Sequence, residues 1–299
     1  MAMPQTEQNP TGPVQVEEAM YSPFRHFFRK WRKQTFAFFA GIFIIALILV
    51  AIFAPYLAPY DPYEPDYANI LAGPSADHLA GTDEYGRDIF SRLIEGSRIS
   101  LSVGFISVFA GGVVGTILGL LSGYFGGWLD RLIMRTSDIM FAFPDLLLAI
   151  AIVAILGPGL TNIVIALSVF SVPNFARLVR GATLEGKEAE YVEAAQSMGA
   201  SNSRIIFKHV FPSSIGSLLV FCSMRVGNAI LAAATLSFLG LGASPETPDW
   251  GAMLSMGRDY LGSASHVVLF PGLVLFLTVL AFNLIGDGLR DVLDPKTTN

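Results

Sequence analysis

The sequence predicts an all-α, polytopic membrane protein of about six transmembrane helices. Hydrophobic residues make up 53% of the 299 residues and charged residues only 14%, against about 25% charged in a soluble domain. Mean hydropathy is +0.55. The apolar residues are gathered into runs of roughly 20, the length that crosses a bilayer, and the segments between them hold most of the charge, glycine and proline.

The elements follow in order. Residues 1–34 are expected to form a tail, aperiodic and polar up to about residue 24 and closed by the basic aromatic run "RHFFRKWRK" at 25–33. The first span is drawn at 35–57. Its length, and the long polar stretch before it, read as a transmembrane helix rather than a signal peptide. A loop at 58–98 follows, then a helical core at 99–290, with spans at about Ile99 to Gly123, Leu132 to Leu156, Leu160 to Val179, Ile215 to Leu239 and Val267 to Leu289. The "GPG" at 157–159 is a turn tight enough to fold the third and fourth spans into an antiparallel hairpin. A polar loop at 181–214 separates the fourth and fifth spans, and residues 291–299 form a second tail.

Orientation follows from lysine and arginine, which are retained on the cytoplasmic side. Arg25, Arg29, Lys30, Arg32 and Lys33 precede the first span, Arg131 and Arg135 follow the second, and Arg177, Arg180, Lys187, Arg204 and Lys208 surround the exit of the fourth. Arg290 and Lys296 close the chain, whereas acidic residues outnumber basic ones at 58–98 and the last loop carries only Arg258. Both termini and the loop 181–214 are therefore expected in the cytoplasm, and the loop 58–98 outside.

Within that loop, Tyr191, Ala194, Ala195 and Met198 recur at helical spacing, with Glu190, Glu193 and Ser197 opposite. Ala194 and Ala195 permit close approach of a partner's backbone, and Gly199 is a natural helix stop. An amphipathic helix lying on the inner leaflet would carry lysine and arginine on its polar face, not glutamates beside anionic lipid. The pattern therefore predicts a docking helix for another protein.

Four further features bear on function. Gly111, Gly115, Gly119, Gly123 and Gly127 form a small-xxx-small ladder suited to close helix packing, either within the chain or against a second subunit. Arg225, with Asn228 on the same helical face, stands inside an apolar segment, where an arginine costs at least ~2.5 kcal/mol at the bilayer centre. It must face protein or water: with Asn228 it lines a translocation path or meets a charge on another subunit, or else it snorkels near a span end or forms a buried pair. The run "GATLEGKE" at 181–188 approaches a phosphate-binding loop, but Glu188 stands where serine or threonine should hold magnesium, and no strand precedes it. Cys222 has no partner for a disulfide, His26, His78, His209 and His266 have no metal-ligand spacing, and Asp138, Asp145 and Asp287 fall near span ends. No metal, cofactor or catalytic set is expected, and a net charge of -5 spread along the chain gives no nucleic-acid surface.

Glu193, Ala194, Ala195, Gly199 and Pro212 fall on the cytoplasmic-loop signature of the permease subunits of ATP-binding-cassette importers, which this sequence resembles. His209 and Phe211 stand where that signature commonly has isoleucine and leucine. The stretches "GTDEYGRDIFSRLIEGSRISL" (81–101), "GYFGGWLD" (123–130), "LSFLGLG" (236–242), "PDWGAML" (248–254) and "LTVLAFNLIGDGLRDVLDPK" (277–296) resemble the second permease of the dipeptide, oligopeptide, glutathione and nickel branch. Tyr85 stands where a smaller aliphatic residue is common. The resemblance implies a permease fold forming half of a pore, with a coupling helix built on Tyr191, Glu193, Ala194, Ala195, Met198, Gly199, Arg204 and Pro212. It also implies partners: a second, nonidentical permease, cytoplasmic ATPase subunits that bind ATP and magnesium, and an external substrate-binding protein. Short peptides are the expected solute. Nickel is the alternative within the branch, and a secondary transporter using Arg225 or a membrane receptor are alternatives outside it.

Overall fold

A computed structural model describes residue 31 and residues 34–293. The tail residues 1–30, the basic residues Arg32 and Lys33, and residues 294–299 lie outside the described residues, so the expectations for the run at 25–33 and for Lys296 fall there. The architecture is helical: α1 Thr35–Ile52, α2 Ala54–Leu57, α3 Ile89–Phe125, α4 Gly127–Phe141, α5 Asp145–Leu156, α6 Leu160–Lys187, α7 Glu190–Ser197, α8 Asn202–Ile205, α9 Phe211–Phe238, α10 Trp250–Gly257 and α11 His266–Leu293. A π-helical turn at Ile206–Val210 joins α8 to α9. Among the described residues the β pairing is a single isolated bridge between Thr82 and Asp88.

Among the described residues five helical stretches are long and apolar enough to cross a membrane, and a sixth span arises only if α4 and α5 count as one. This corrects the third expected span, drawn as one helix from Leu132 to Leu156. The two helices meet at 93°, and the cause is Pro144, which caps α5. Proline removes a backbone donor and drives the residue before it out of helical conformation. The turn at 157–159 then reverses the chain with Gly157 and Gly159 at positive φ, and α5 packs back on α6 through Ala149, Val153, Ile163 and Leu167.

The first span, drawn to residue 57, is helix only to Ile52 before a break at Phe53, and two further span limits differ from those drawn by eight residues or more. The second helix begins at Ile89 rather than Ile99, and the fourth runs to Lys187 rather than Val179. Hydropathy marks the part of a helix that sits in lipid, whereas backbone hydrogen bonds continue through charged turns. At 1.5 Å per residue α3 is ~55 Å long, beyond the ~30 Å hydrocarbon core. Its first turn, capped where Asp88 accepts the Ser91 N–H at 2.7 Å, joins the loop 58–88 instead.

That loop and the segment before α10 close one end of the bundle through buried charge. The Asp83 carboxylate accepts from Arg87 Nε at 2.7 Å and lies 3.4 Å from Arg92 Nε. Arg92 donates to the Pro62 carbonyl at 2.8 Å and the Glu246 carbonyl at 3.3 Å. Trp250, fully buried, donates its indole N–H to the Leu93 carbonyl at 3.2 Å. The two loops are thus tied to each other through α3.

The glycine ladder lies along the contact of α3 with α6. A Cβ built on Gly111 would meet the Ser168 carbonyl oxygen at 2.5 Å, one on Gly115 the Val172 carbonyl oxygen at 2.5 Å, one on Gly119 the Ala176 carbonyl oxygen at 2.6 Å, and one on Gly123 the Thr183 Cβ at 2.7 Å. The partner of the ladder is therefore a helix of this same chain. Gly127, the last of the series, stands apart at positive φ with open space around it.

Gly115→Ala should lower stability by about 1–3 kcal/mol, because the added methyl meets backbone that cannot rotate away. Gly181→Ala, on α6 with nothing within 4 Å, should raise it by up to about 1 kcal/mol. Thermal unfolding in detergent, followed by a thiol-reactive dye at Cys222, measures both. Equal midpoints for the two variants would contradict the close packing.

Candidate functional site

Two places combine exposure with specific chemistry: the short helix α7 at one end of the bundle, and a cavity beside the middle of α9. The first is built by local sequence. Glu190 and Glu193 occupy the first turn of α7, where negative charge suits the helix dipole. Gly199, at φ +79°, closes it, its own N–H bonded to the Gln196 carbonyl at 2.9 Å and the Ala200 N–H to the Ala195 carbonyl at 3.1 Å. That six-to-one bond needs a left-handed residue, which glycine supplies without strain.

The structure divides the apolar residues of α7 differently from the face read in the sequence. Val192 and Ala195 point inward, Val192 being completely buried, while Tyr191 is 50% and Met198 81% exposed. Ala195 is therefore a correction: it belongs to the packed face, not to the outward one with Tyr191, Ala194 and Met198. Val192 was the residue the sequence reading missed. It packs with Ile205 and Val210, with Tyr124 from the end of α3 alongside. Inward positions three apart, 192 and 195, were available as a signal, but the small outward alanine made the alternative face look equally continuous.

The remaining loop residues sit around this helix. Arg204 is exposed on α8, whose start is capped where Ser201 Oγ accepts the Arg204 N–H at 3.4 Å. Tyr124 donates its hydroxyl to Asn202 at 3.0 Å. The His209 ring lies beside that of Tyr191, tilted by 42° with ring centroids 6.2 Å apart. Pro212 lies in the first turn of α9, where a missing N–H costs nothing. Ion pairs fasten the same end: Arg180 donates to Asp130 at 2.5 and 2.7 Å, Ser122 also donates to Asp130, and Arg177 pairs with Asp138 at 2.8 Å.

The near-match to a phosphate loop is continuous helix. Gly181 to Lys187 belong to α6, and the Lys187 ammonium donates to the Gly123 carbonyl at 3.3 Å, at the last turns of α3 where a cation complements the dipole.

The second place is a cavity of about 180 Å³ bordered by Asp145, Phe170, Ser171, Arg225 and Asn228 together with small and aliphatic side chains. Arg225 and Asn228 come from α9, Phe170 and Ser171 from α6, and Asp145 from the first turn of α5. The Arg225 guanidinium carbon lies 5.2 Å from the Phe170 ring centroid and 5.9 Å from that of Phe221. Its Nε is buried without a hydrogen-bond partner. Arg225 therefore faces a cavity and forms no ion pair among the described residues. Asn228 is exposed. Asp145 reaches this cavity because of the break at Pro144, so a span drawn straight through that proline hid it. Among the described residues no three His, Cys, Asp or Glu side chains are grouped as a metal site.

Val192→Ala should loosen α7 by about 2 kcal/mol, as for other buried aliphatic truncations, and speed tryptic cleavage after Arg204 or Lys208. Met198→Ala, on the exposed side, should leave the cleavage rate unchanged. Indistinguishable digestion of the two variants would contradict the assignment of faces.

Comparison with known proteins agrees over nearly the whole chain. Residues 115–299 match the family described as binding-protein-dependent transport system inner membrane component, and residues 22–74 match the N-terminal TM domain of oligopeptide transport permease C. The glutathione transport system permease protein GsiD of Pectobacterium atrosepticum is 54% identical over 287 residues, 96% of this chain and 95% of that protein. Its counterpart in Escherichia coli O6:K15:H31 is 53% identical over 285 residues, 95% of this chain and 94% of that one. In fold, the chain is similar to the inward-facing MetNI methionine ABC transporter, with a TM-score of 0.57 at 24% identity over 68% of this chain and 97% of that one. The chain belongs to the binding-protein-dependent inner membrane components, the permease subunits of ATP-binding-cassette importers.

Proposed function

We propose that this chain forms half of the translocation pore of an ATP-driven importer for short, glutathione-like peptides, and that α7 receives the motor. The observation that carries the reading is the exposed face of α7: Tyr191, Ala194 and Met198 stand outward beside Glu193, while Val192 ties the helix to the bundle. A half-apolar helix held rigidly at the end of a membrane bundle is suited to seat in another protein's groove. Relatives more than half identical are named glutathione transport permeases, which supports the solute class.

The end carrying α7 faces the cytoplasm of a bacterium, with both termini inside and the platform of loop 58–88 and α10 outside. The partners are a second, nonidentical permease, cytoplasmic ATPase subunits that hold ATP and magnesium, and an external substrate-binding protein at the platform. ATP binding in the partner moves α7. Val192 passes that displacement to Val210 at the root of α9, and α3 with α6 follows as one packed body, in the manner of a two-state domain rotation. Chemistry on the solute is not required; Arg225 and Asn228 line the path.

The permease pair with its ATPase and binding protein, reconstituted in vesicles, should take up glutathione only with ATP and the binding protein, and this chain alone should hydrolyse none. Gly199→Leu should insert normally yet lose roughly tenfold in ATPase affinity, because a left-handed non-glycine residue costs about 1–2 kcal/mol. Wild-type copurification and uptake by Gly199→Leu would contradict the coupling role.

A further inference from the structure

We propose that the cavity between α5, α6 and α9 is a midway subsite for a zwitterionic end of the solute, with Arg225 taking its carboxylate and Asp145 its ammonium. The inference rests on the function proposed above and adds a chemical class to it. Three observations meet at this cavity.

First, Arg225 stands at the middle of α9 with Nε buried and unbonded. Phe170 and Phe221 hold the guanidinium by ring contact, so the cation is positioned without being neutralised. A planar guanidinium with free donors suits a carboxylate, which it binds through two parallel hydrogen bonds.

Second, Asp145 borders the same cavity but forms no ion pair with Arg225 or any other described residue. Asp145 is exposed and acts on Arg225 across the cavity without pairing with it, so each charge keeps donors or acceptors for a solute between them. A solute bearing a carboxylate and an ammonium answers both at once, whereas a simple anion or cation answers one and meets the other as repulsion. Asn228, exposed at the rim, offers an amide that can pair with a peptide group.

Third, the site exists because the third span is broken. Pro144 ends the preceding turn and starts α5, so that Asp145, exposed in the first turn of that helix, comes to the border of the cavity. Broken helices that present a terminus within the membrane are a recurring way to meet solute charge there. At about 180 Å³ the cavity is smaller than the roughly 300–1,000 Å³ of ordinary ligand pockets. It takes one end of a peptide, and the rest lies toward the second permease.

The test is uptake by the reconstituted complex, with the variant-to-wild-type ratio taken separately for each probe so that the selectivity of the binding protein cancels. The probes are glutathione, its diethyl ester and its N-acetyl derivative. Arg225→Gln should lose about tenfold more glutathione uptake than diester uptake, the loss expected for a charged hydrogen-bonded contact. Asp145→Asn should lose more for glutathione than for the N-acetyl probe. Equal loss for charged and masked probes overturns the subsite. So does failure of both Arg225→Gln and Arg225→Lys to assemble, which would make the arginine structural. Absence of ATP-dependent uptake of every probe by the wild-type complex would instead defeat the importer reading beneath it.

Discussion

Two apolar helices in lipid gain little by hiding hydrophobic surface from each other, so their association rests on how closely their backbones approach. Between α3 and α6 that approach leaves no room for a methyl group at Gly111, Gly115, Gly119 or Gly123. The pair is therefore fixed in register along its length. Lys187 on the Gly123 carbonyl and Arg180 on Asp130 lock the same register at the end where α6 leaves the membrane. α4 is held by the second of these contacts, and α5 packs on α6 through Ala149 and Val153.

Everything assigned a functional role is positioned by that unit. α6 supplies Phe170 and Ser171 to the cavity and ends where α7 begins. Tyr124, at the last turns of α3, lies against the cluster of Val192, Ile205 and Val210, so α7 is anchored to the ladder on one side and to the root of α9 on the other. A force on Tyr191 and Met198 is thus shared between a rigid helix pair and the helix that carries Arg225. At the opposite end the Asp83, Arg87 and Arg92 cluster binds loop 58–88 to the segment before α10. Removing one member of such a cluster leaves a buried charge uncompensated, so this face is stiff as well.

Much of this was legible in the sequence because lipid imposes strong rules. Apolar runs located the spans, glycine spacing located the tight packing, and the small-residue helix ending at Gly199 announced itself between two spans. The ladder's partner was not legible, since glycine spacing fits an internal or an external helix equally. The inward face of α7 was misread because Val192 and Ala195 compete with Tyr191, Ala194 and Met198 on a helix of only eight residues, too short for periodicity to decide. The break at Pro144 was overlooked because the apolar run of α5 was extended back through the amphipathic α4, whose Arg131, Arg135 and Asp138 argue against one continuous span, and with it went the placement of Asp145 beside Arg225. The buried charge cluster at 83–92 was visible only as a family-like motif; its contacts run to residues more than 150 positions away, such as Glu246, which no local pattern encodes.

The central claim is that the outward face of α7 is covered by the ATPase in the working importer. With Cys222 replaced by serine, the sequence has no other cysteine, so a cysteine placed at Met198 reports on that face alone. Its rate of modification by a water-soluble maleimide should fall severalfold when the permease pair is assembled with its ATPase, and remain fast without it. Equal rates in the two states, with assembly verified, would contradict the account.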